Sequence, residues 1–187
     1  MSPDAKTDAA KEGPRIMPFP VALHYESPAA PAVTRYAEAL LDGKIIGQKC
    51  TGDCGLIYVP PKDLCPIDVI KLSIDDDVVL GDTGTVVNFT VVTPVQYPGQ
   101  EETEPFARVS VALDGPGGML QLQEVLDTPV SDVRVGMRVA AVWRPEAERN
   151  TEDLAAGGWS STDGGIEGWM PTGEPDGDVA ALQGKGY

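Results

Sequence analysis

Basic side chains are scarce: 14 Lys and Arg stand against 29 Asp and Glu, and with one neutral histidine the formal charge is −15. A polyanion partner needs clustered cations to displace counterions, so the balance argues against nucleic acid. Apolar runs last only a few residues against the roughly 20 of a membrane span, and the opening MSPDAKTDAAKEG is mixed in charge with no apolar secretory core. The expectation is a soluble, cytoplasmic protein with no membrane partner. Cysteine is also scarce, and odd in number. Cys50, Cys54 and Cys65 lie close together, whereas a disulfide framework would be even and spread out in a secreted chain. In the cytosol they read as thiols or metal ligands. His24, the single histidine, has no Ser or Cys near it in a nucleophile-elbow motif, which leaves a triad or a Cys–His dyad poorly supported.

What the chain has in excess is Gly (21) and Pro (17), together about a fifth of its 187 residues and nearly double the usual share. Turns must be abundant, a helical bundle is disfavoured, and the length suits one compact domain or a small domain with a satellite. Residues 1–31, with Pro3, Pro14, Pro18, Pro20, Pro28 and Pro31, read as a Pro-rich arm that orders only against a partner. Over 32–44 Val33, Tyr36, Ala37, Leu40 and Leu41 fall at helical spacing and Gly43 supplies a stop, so a short amphipathic helix is expected. Residues 45–72 hold the cysteines between β-type runs at 45–50 and 56–59.

From about Val78 the period becomes two. Val87, Phe89 and Val91 share one face of a strand, and Ala107, Val109, Val111 and Leu113 share one face of the next. The Gly-rich turn 114–118 leads into a run where Leu120 and Leu122 alternate with Gln121 and Gln123, and Met137, Val139, Ala141 and Trp143 alternate later. Closely spaced strands with little helix between them predict a small closed or partly closed barrel over 73–145. Residues 146–187 read as an acidic, Gly-rich tail with a possible closing strand at 166–170, and Trp159 and Trp169 there either cover a core edge or anchor a partner.

The strongest chemical signal is KCTGDCGLIYVPPKDLCPID, which reads C-x3-C, ten residues, then C-x2-D. Tetrahedral zinc takes four N, O or S ligands, and two short knuckles on hairpins supply them at this spacing: Cys50, Cys54, Cys65 and, where a ribbon places its last cysteine, Asp68. The open alternative is a ribbon that has lost its metal and survives on packing. Asp82-Thr83-Gly84 has the aspartic-protease tripeptide, yet LGDTGTVV is an ordinary turn into a strand. The run Asp75, Asp76, Asp77 lacks the spaced ligands of a calcium loop and reads as a solvated turn.

Taken together, TRYAEALLDGKIIGQKC, CTGDCGLIYVPPKDLCP, GDTGTVVNFTVV and VSDVRVGMRVAAVW resemble, in order and spacing over about residues 32–145, the acyl-CoA-associated OB-fold proteins with an N-terminal rubredoxin-like zinc ribbon. IEGWMPTGEPD is similar to the closing segment of that family. The resemblance implies a mainly β chain: a short N-terminal helix, zinc-ribbon-like hairpins, then a small OB-fold barrel. It also implies a non-catalytic accessory subunit of a thiolase-superfamily enzyme, a thiolase or a lipid-transfer-type aldolase of steroid side-chain breakdown. Implied with it are structural zinc at Cys50, Cys54 and Cys65, acyl-CoA at an interface shared with the catalytic subunit, and a hetero-oligomer. The competing class is a stand-alone OB-fold module for a small ligand or single strands. Four Arg against eleven acids over residues 73–145 weigh against single strands.

Overall fold

The computed structural model describes residues 28–94, 103–157 and 162–182, so Phe19, His24, Tyr25, Trp159 and most of the Pro-rich arm lie outside the described residues. Helix α1 (Pro31–Leu41) opens on a proline, whose missing N–H is no loss in a first turn, and buries Ala32, Tyr36, Ala37 and Leu40. Its far end is capped across the fold: Arg149 Nη1 donates to the Leu41 carbonyl at 3.0 Å, placing a cation where the helix dipole is negative.

Five short strands follow: β1 (Ile45–Lys49), β2 (Ile57–Tyr58), β3 (Leu64–Cys65), β4 (Ile70–Lys71) and β5 (Asp77–Leu80). They form a three-stranded sheet ordered β2-β1-β5 and a separate β3-β4 pair. After them come β6 (Thr83–Val92), β7 (Phe106–Leu113), β8 (Met119–Glu124) and β9 (Arg138–Trp143), then α2 (Thr151–Gly157) and β10 (Ile166–Pro171). The larger sheet runs β10-β9-β6-β7-β8, all antiparallel. Its two edges meet through a parallel bridge between Val125 and Trp169, where the Leu126 N–H donates to the Trp169 carbonyl at 2.8 Å. An antiparallel five-stranded sheet closed by one parallel contact is an OB barrel. The segment read as an acidic tail therefore supplies the fifth strand.

One core joins the layers. Tyr36 and Leu40 from α1 and Ile45 from β1 pack with Val86, Val109, Val111, Leu120, Val139 and Trp169 of the barrel. Trp169 is fully buried, and its indole N–H donates to Gln123 Oε1 at 2.9 Å. The same oxygen accepts the Thr162 hydroxyl at 2.8 Å, so the one buried glutamine of β8 satisfies two donors from the closing segment. The possible closing strand at 166–170 is thus a core strand, with Trp169 inside the barrel and its indole N–H paired there.

Two strand faces also differ from the period-two reading. A bulge between Val86 and Asn88 takes Val87 out of the alternation and sets Val86, Phe89 and Val91 opposite Val111, Val109 and Ala107; Val86 is buried there, while Phe89 and Val91, further along the strand, stay exposed. Leu122 adopts φ of 57° beside a second irregularity between Val109 and Val111, which turns Leu122 to solvent and Gln123 inward. Alternation on β7 holds: Ala107, Val109, Val111 and Leu113 are buried.

Trp169→Ala should cost about 3–5 kcal/mol through lost packing and a cavity. Gln123→Leu should cost about 1–3 kcal/mol by leaving two buried donors unpaired. Urea unfolding checks both, and a loss under about 1 kcal/mol at Trp169 would mean that β10 does not close the barrel.

Candidate metal centre

Two tight turns face each other. Cys50 follows β1 and pairs its N–H with the Leu56 carbonyl at 2.7 Å, so the chain between them must reverse and present Cys50 and Cys54 together. The β3-β4 hairpin does the same for Cys65, at the end of β3, and Asp68, in its turn. The four side chains chosen from spacing converge, with their ligating atoms all within 4.8 Å of one another. Each turn ends on left-handed backbone: Gly55, φ 57°, follows Cys54, and Val69, φ 52°, follows Asp68. Glycine adopts that conformation freely, while a β-branched residue there is strained.

The sulfurs are already solvated by donors. Cys50 Sγ accepts the Gly52 N–H at 3.3 Å, and Cys65 Sγ accepts the Asp68 N–H at 3.3 Å and lies 3.1 Å from the Tyr58 hydroxyl. Asp68 Oδ2 accepts the Cys54 N–H at 3.0 Å and lies 3.1 Å from Cys50 Sγ. Gly52 makes room for it, since a Cβ there would stand 2.5 Å from that oxygen.

Charge follows from these contacts. Burial resists ionisation of Cys65, but the Tyr58 hydroxyl and the Asp68 N–H outweigh it and bring the thiol down to about 7. Cys50 moves the other way: burial and then the Asp68 carboxylate push it up to about 12. The Cys54 N–H, followed by the Cys50 thiol, holds Asp68 below the usual carboxylate range. A cation is the missing complement to three convergent sulfurs and a carboxylate.

The donor set fits a tetrahedral ion. Cys54 and Cys65 sulfurs are 3.6 Å apart, against about 3.8 Å implied by zinc–sulfur bonds of about 2.3 Å at tetrahedral angles. Three soft sulfurs with one carboxylate oxygen favour zinc over a hard ion such as magnesium.

Beneath the ribbon lies a polar node that spacing did not single out. Gln48, fully buried on β1, accepts the Lys62 and Asp63 N–H groups through Oε1 at 3.1 and 2.7 Å and donates through Nε2 to Asp63 and the Ser73 carbonyl. Asp63 also receives Arg35 Nη2 at 2.8 Å, and Arg35 Nε reaches Asp77 at 2.7 Å. The available signal was the lone glutamine in IIGQK, two residues before the first cysteine. Tyr58 was likewise missed, although it sits in the segment between the knuckles.

The other sequence candidates are not gathered into this site. Asp82 is exposed in the turn before β6 and accepts the Trp143 indole N–H at 3.2 Å. Asp76 accepts the Ser73 N–H at 2.7 Å in a capping box, and Asp77 pairs with Arg35. Their carboxylates thus serve the fold. His24 lies outside the described residues.

A helix, a two-knuckle cysteine ribbon and a closed five-stranded barrel define a ribbon-bearing OB-fold protein. Residues 77–144 match the family described as ChsH2, C-terminal OB-fold domain. A DUF35 domain-containing scaffold protein of Methanocaldococcus jannaschii is 26% identical over 117 residues, 62% of this chain and 78% of that one. Among solved structures, a chain of an Ltp2-ChsH2(DUF35) aldolase aligns with a TM-score of 0.52 at 20% identity, covering 78% of this chain and 98% of its own. A DUF35-family protein of Sulfolobus solfataricus aligns with a TM-score of 0.46 at 24% identity, over 60% of this chain and 78% of that one. The barrel segment is thus similar to the ChsH2 C-terminal OB-fold domain, and the chain to a DUF35 protein, as its motifs led one to expect.

Asp63 provides a pH test of the node. Arg35 first, then Gln48, hold its carboxyl below its ordinary 3.8 against the opposing effect of burial, so its contribution is present above that value and is lost as pH falls through the depressed one. Arg35→Leu should therefore move acid unfolding to higher pH, read by circular dichroism between pH 5 and pH 2. An unchanged midpoint would remove the node from the acid stability.

Proposed function

We propose that this chain is a non-catalytic accessory subunit of a thiolase-like acyl-CoA enzyme, with a zinc ion held by Cys50, Cys54, Cys65 and Asp68 stapling its ribbon. The observation that carries the reading is the extent of the alignment: 78% of this chain spans 98% of a chain of an Ltp2-ChsH2(DUF35) aldolase. The curated relative's description as a scaffold protein supports the same role. So do the carboxylates, since Asp76, Asp77 and Asp82 are engaged by caps, an arginine and an indole.

In this reading the catalytic subunit supplies the nucleophile and the base, and this chain shapes the entrance for an acyl-CoA. Steroid side-chain cleavage is the finer form of the proposal, with a cytoplasmic hetero-oligomer as its setting. No helix among the described residues is long and apolar enough to cross a membrane. Zinc, when bound, supplies structural cross-linking: it ties two turns whose own apolar cluster is small, centred on Cys50, Cys65 and Leu72. Gly52 and the Cys54 N–H hold the Asp68 carboxylate in position for the fourth place.

Metal analysis of the purified chain should find close to one zinc per molecule. Asp68→Ala should weaken retention against chelator by about tenfold or more, an effect within the range seen for lost ligand support. A metal-free chain whose melting is indifferent to chelator would make the ribbon a packing module only.

Co-purification with a thiolase-like subunit tests the role itself, and the isolated chain should show no turnover. Asp82→Ala should leave the rate of the complex within a few-fold, because removing a general acid or base costs about 10²-fold or more. A loss of that size would make this chain catalytic.

A further inference from the structure

Beside the ribbon runs an open groove of about 630 Å³, lined by Arg35 of α1, Asp63, Leu64, and Lys71 to Ile74. Its apolar walls are uncovered: Leu64 is 47% exposed and Ile74 64%. Nothing in the barrel core calls for two large aliphatic side chains on this surface. Contiguous exposed apolar residues of this kind mark a surface that something covers.

The position of the groove selects the occupant. The Ala32 N–H, in the first turn of α1, is hydrogen-bonded to the Asp63 carboxylate, and Arg35 reaches the same carboxylate at 2.8 Å. Two residues that line the groove thus hold the start of α1, and the chain upstream of Pro31 leaves from its rim. Upstream lies Ile16-Met-Pro-Phe-Pro-Val-Ala-Leu-His-Tyr25, ten residues with one polar side chain. It follows a stretch, 1–15, with six charged residues. From Tyr25 to Pro31 the backbone spans up to about 20 Å, enough to fold back beside the helix start. Pro18 and Pro20 bias the run toward extended backbone, which lowers the entropy lost when such a segment lies in a groove.

We propose that the groove formed by Arg35, Asp63, Leu64, Leu72 and Ile74 is a docking site for this chain's own N-terminal segment, residues 16–25, with Phe19 and Leu23 as its apolar anchors. The arm is then a strap over the ribbon, joining it to α1. This differs from an arm that orders only on a catalytic partner, and it stands independently of the accessory role.

The test uses the full chain. Hydrogen exchange over residues 64–74 is compared between wild type and Phe19→Ser/Leu23→Ser, with circular dichroism and metal content as controls for folding. The expected result is exchange about fivefold faster or more in the variant, restored by excess synthetic peptide of residues 14–27. Ile74→Asp, a change at an exposed position, should reciprocally speed chymotryptic cutting at Phe19 and Tyr25. Equal exchange in the two chains, no rescue by the peptide, or unchanged proteolysis in Ile74→Asp would each overturn the proposal. Protection of 64–74 that arises only on adding a thiolase-like subunit would assign the groove to that partner and overturn it as well.

Discussion

The barrel depends on the seating of one side chain. Trp169 is the largest fully buried side chain among the described residues, and its indole N–H ends on Gln123, a polar group facing inward on the opposite edge strand. Without that acceptor the indole would bury an unpaired donor, and without the indole the glutamine would bury an unpaired amide. Each makes the other tolerable. The backbone then follows, because Leu126 donates to the Trp169 carbonyl and brings β8 beside β10. Closure removes both free edges of a five-stranded sheet, which would otherwise offer unpaired strands to other chains.

The ribbon is built on that closed platform rather than beside it. β1 pairs with β5, which leads directly into β6, and Ile45 and Leu80 enter the barrel's core. Gln48 and Asp63 convert the attachment into a rigid one. Gln48 meets two backbone donors and one carbonyl, and Asp63 is shared by the helix start, Arg35 and the glutamine. A node of this kind, part-buried and centred on the fully buried Gln48, holds the two knuckles at a defined separation.

Chemistry and surface are divided between the two modules. Of the carboxylates singled out from sequence, Asp76 sits in a capping box, Asp77 pairs with Arg35 and Asp82 accepts an indole N–H, while three cysteine thiols converge with Asp68. Apolar side chains are exposed on the ribbon, at Leu64, Ile67, Val69 and Ile74, and on the barrel, at Phe89, Val91 and Leu122. Val69 and Leu122 both hold left-handed backbone while facing solvent. At Val69 that backbone ends the turn carrying Asp68, and at Leu122 it turns Gln123 inward.

Local pattern determined much of this chain by itself. The helix over Pro31–Leu41, the inward face of β7 and the four candidate ligands were all legible, because helix spacing, strand alternation and knuckle spacing are short-range properties of sequence. Tertiary structure alone decided the faces of β6 and β8, where bulges interrupt the alternation: Val86 rather than Val87 joins the buried face, and Leu122 turns to solvent. The closing strand at 166–170 was legible, but what it closes against was not, since the partner of Trp169 lies 46 residues away and no local window contains both. The polar node was hidden for the same reason: Gln48, Arg35 and Asp63 are ordinary surface-type residues until folding buries Gln48 and brings it and Arg35 onto the Asp63 carboxylate.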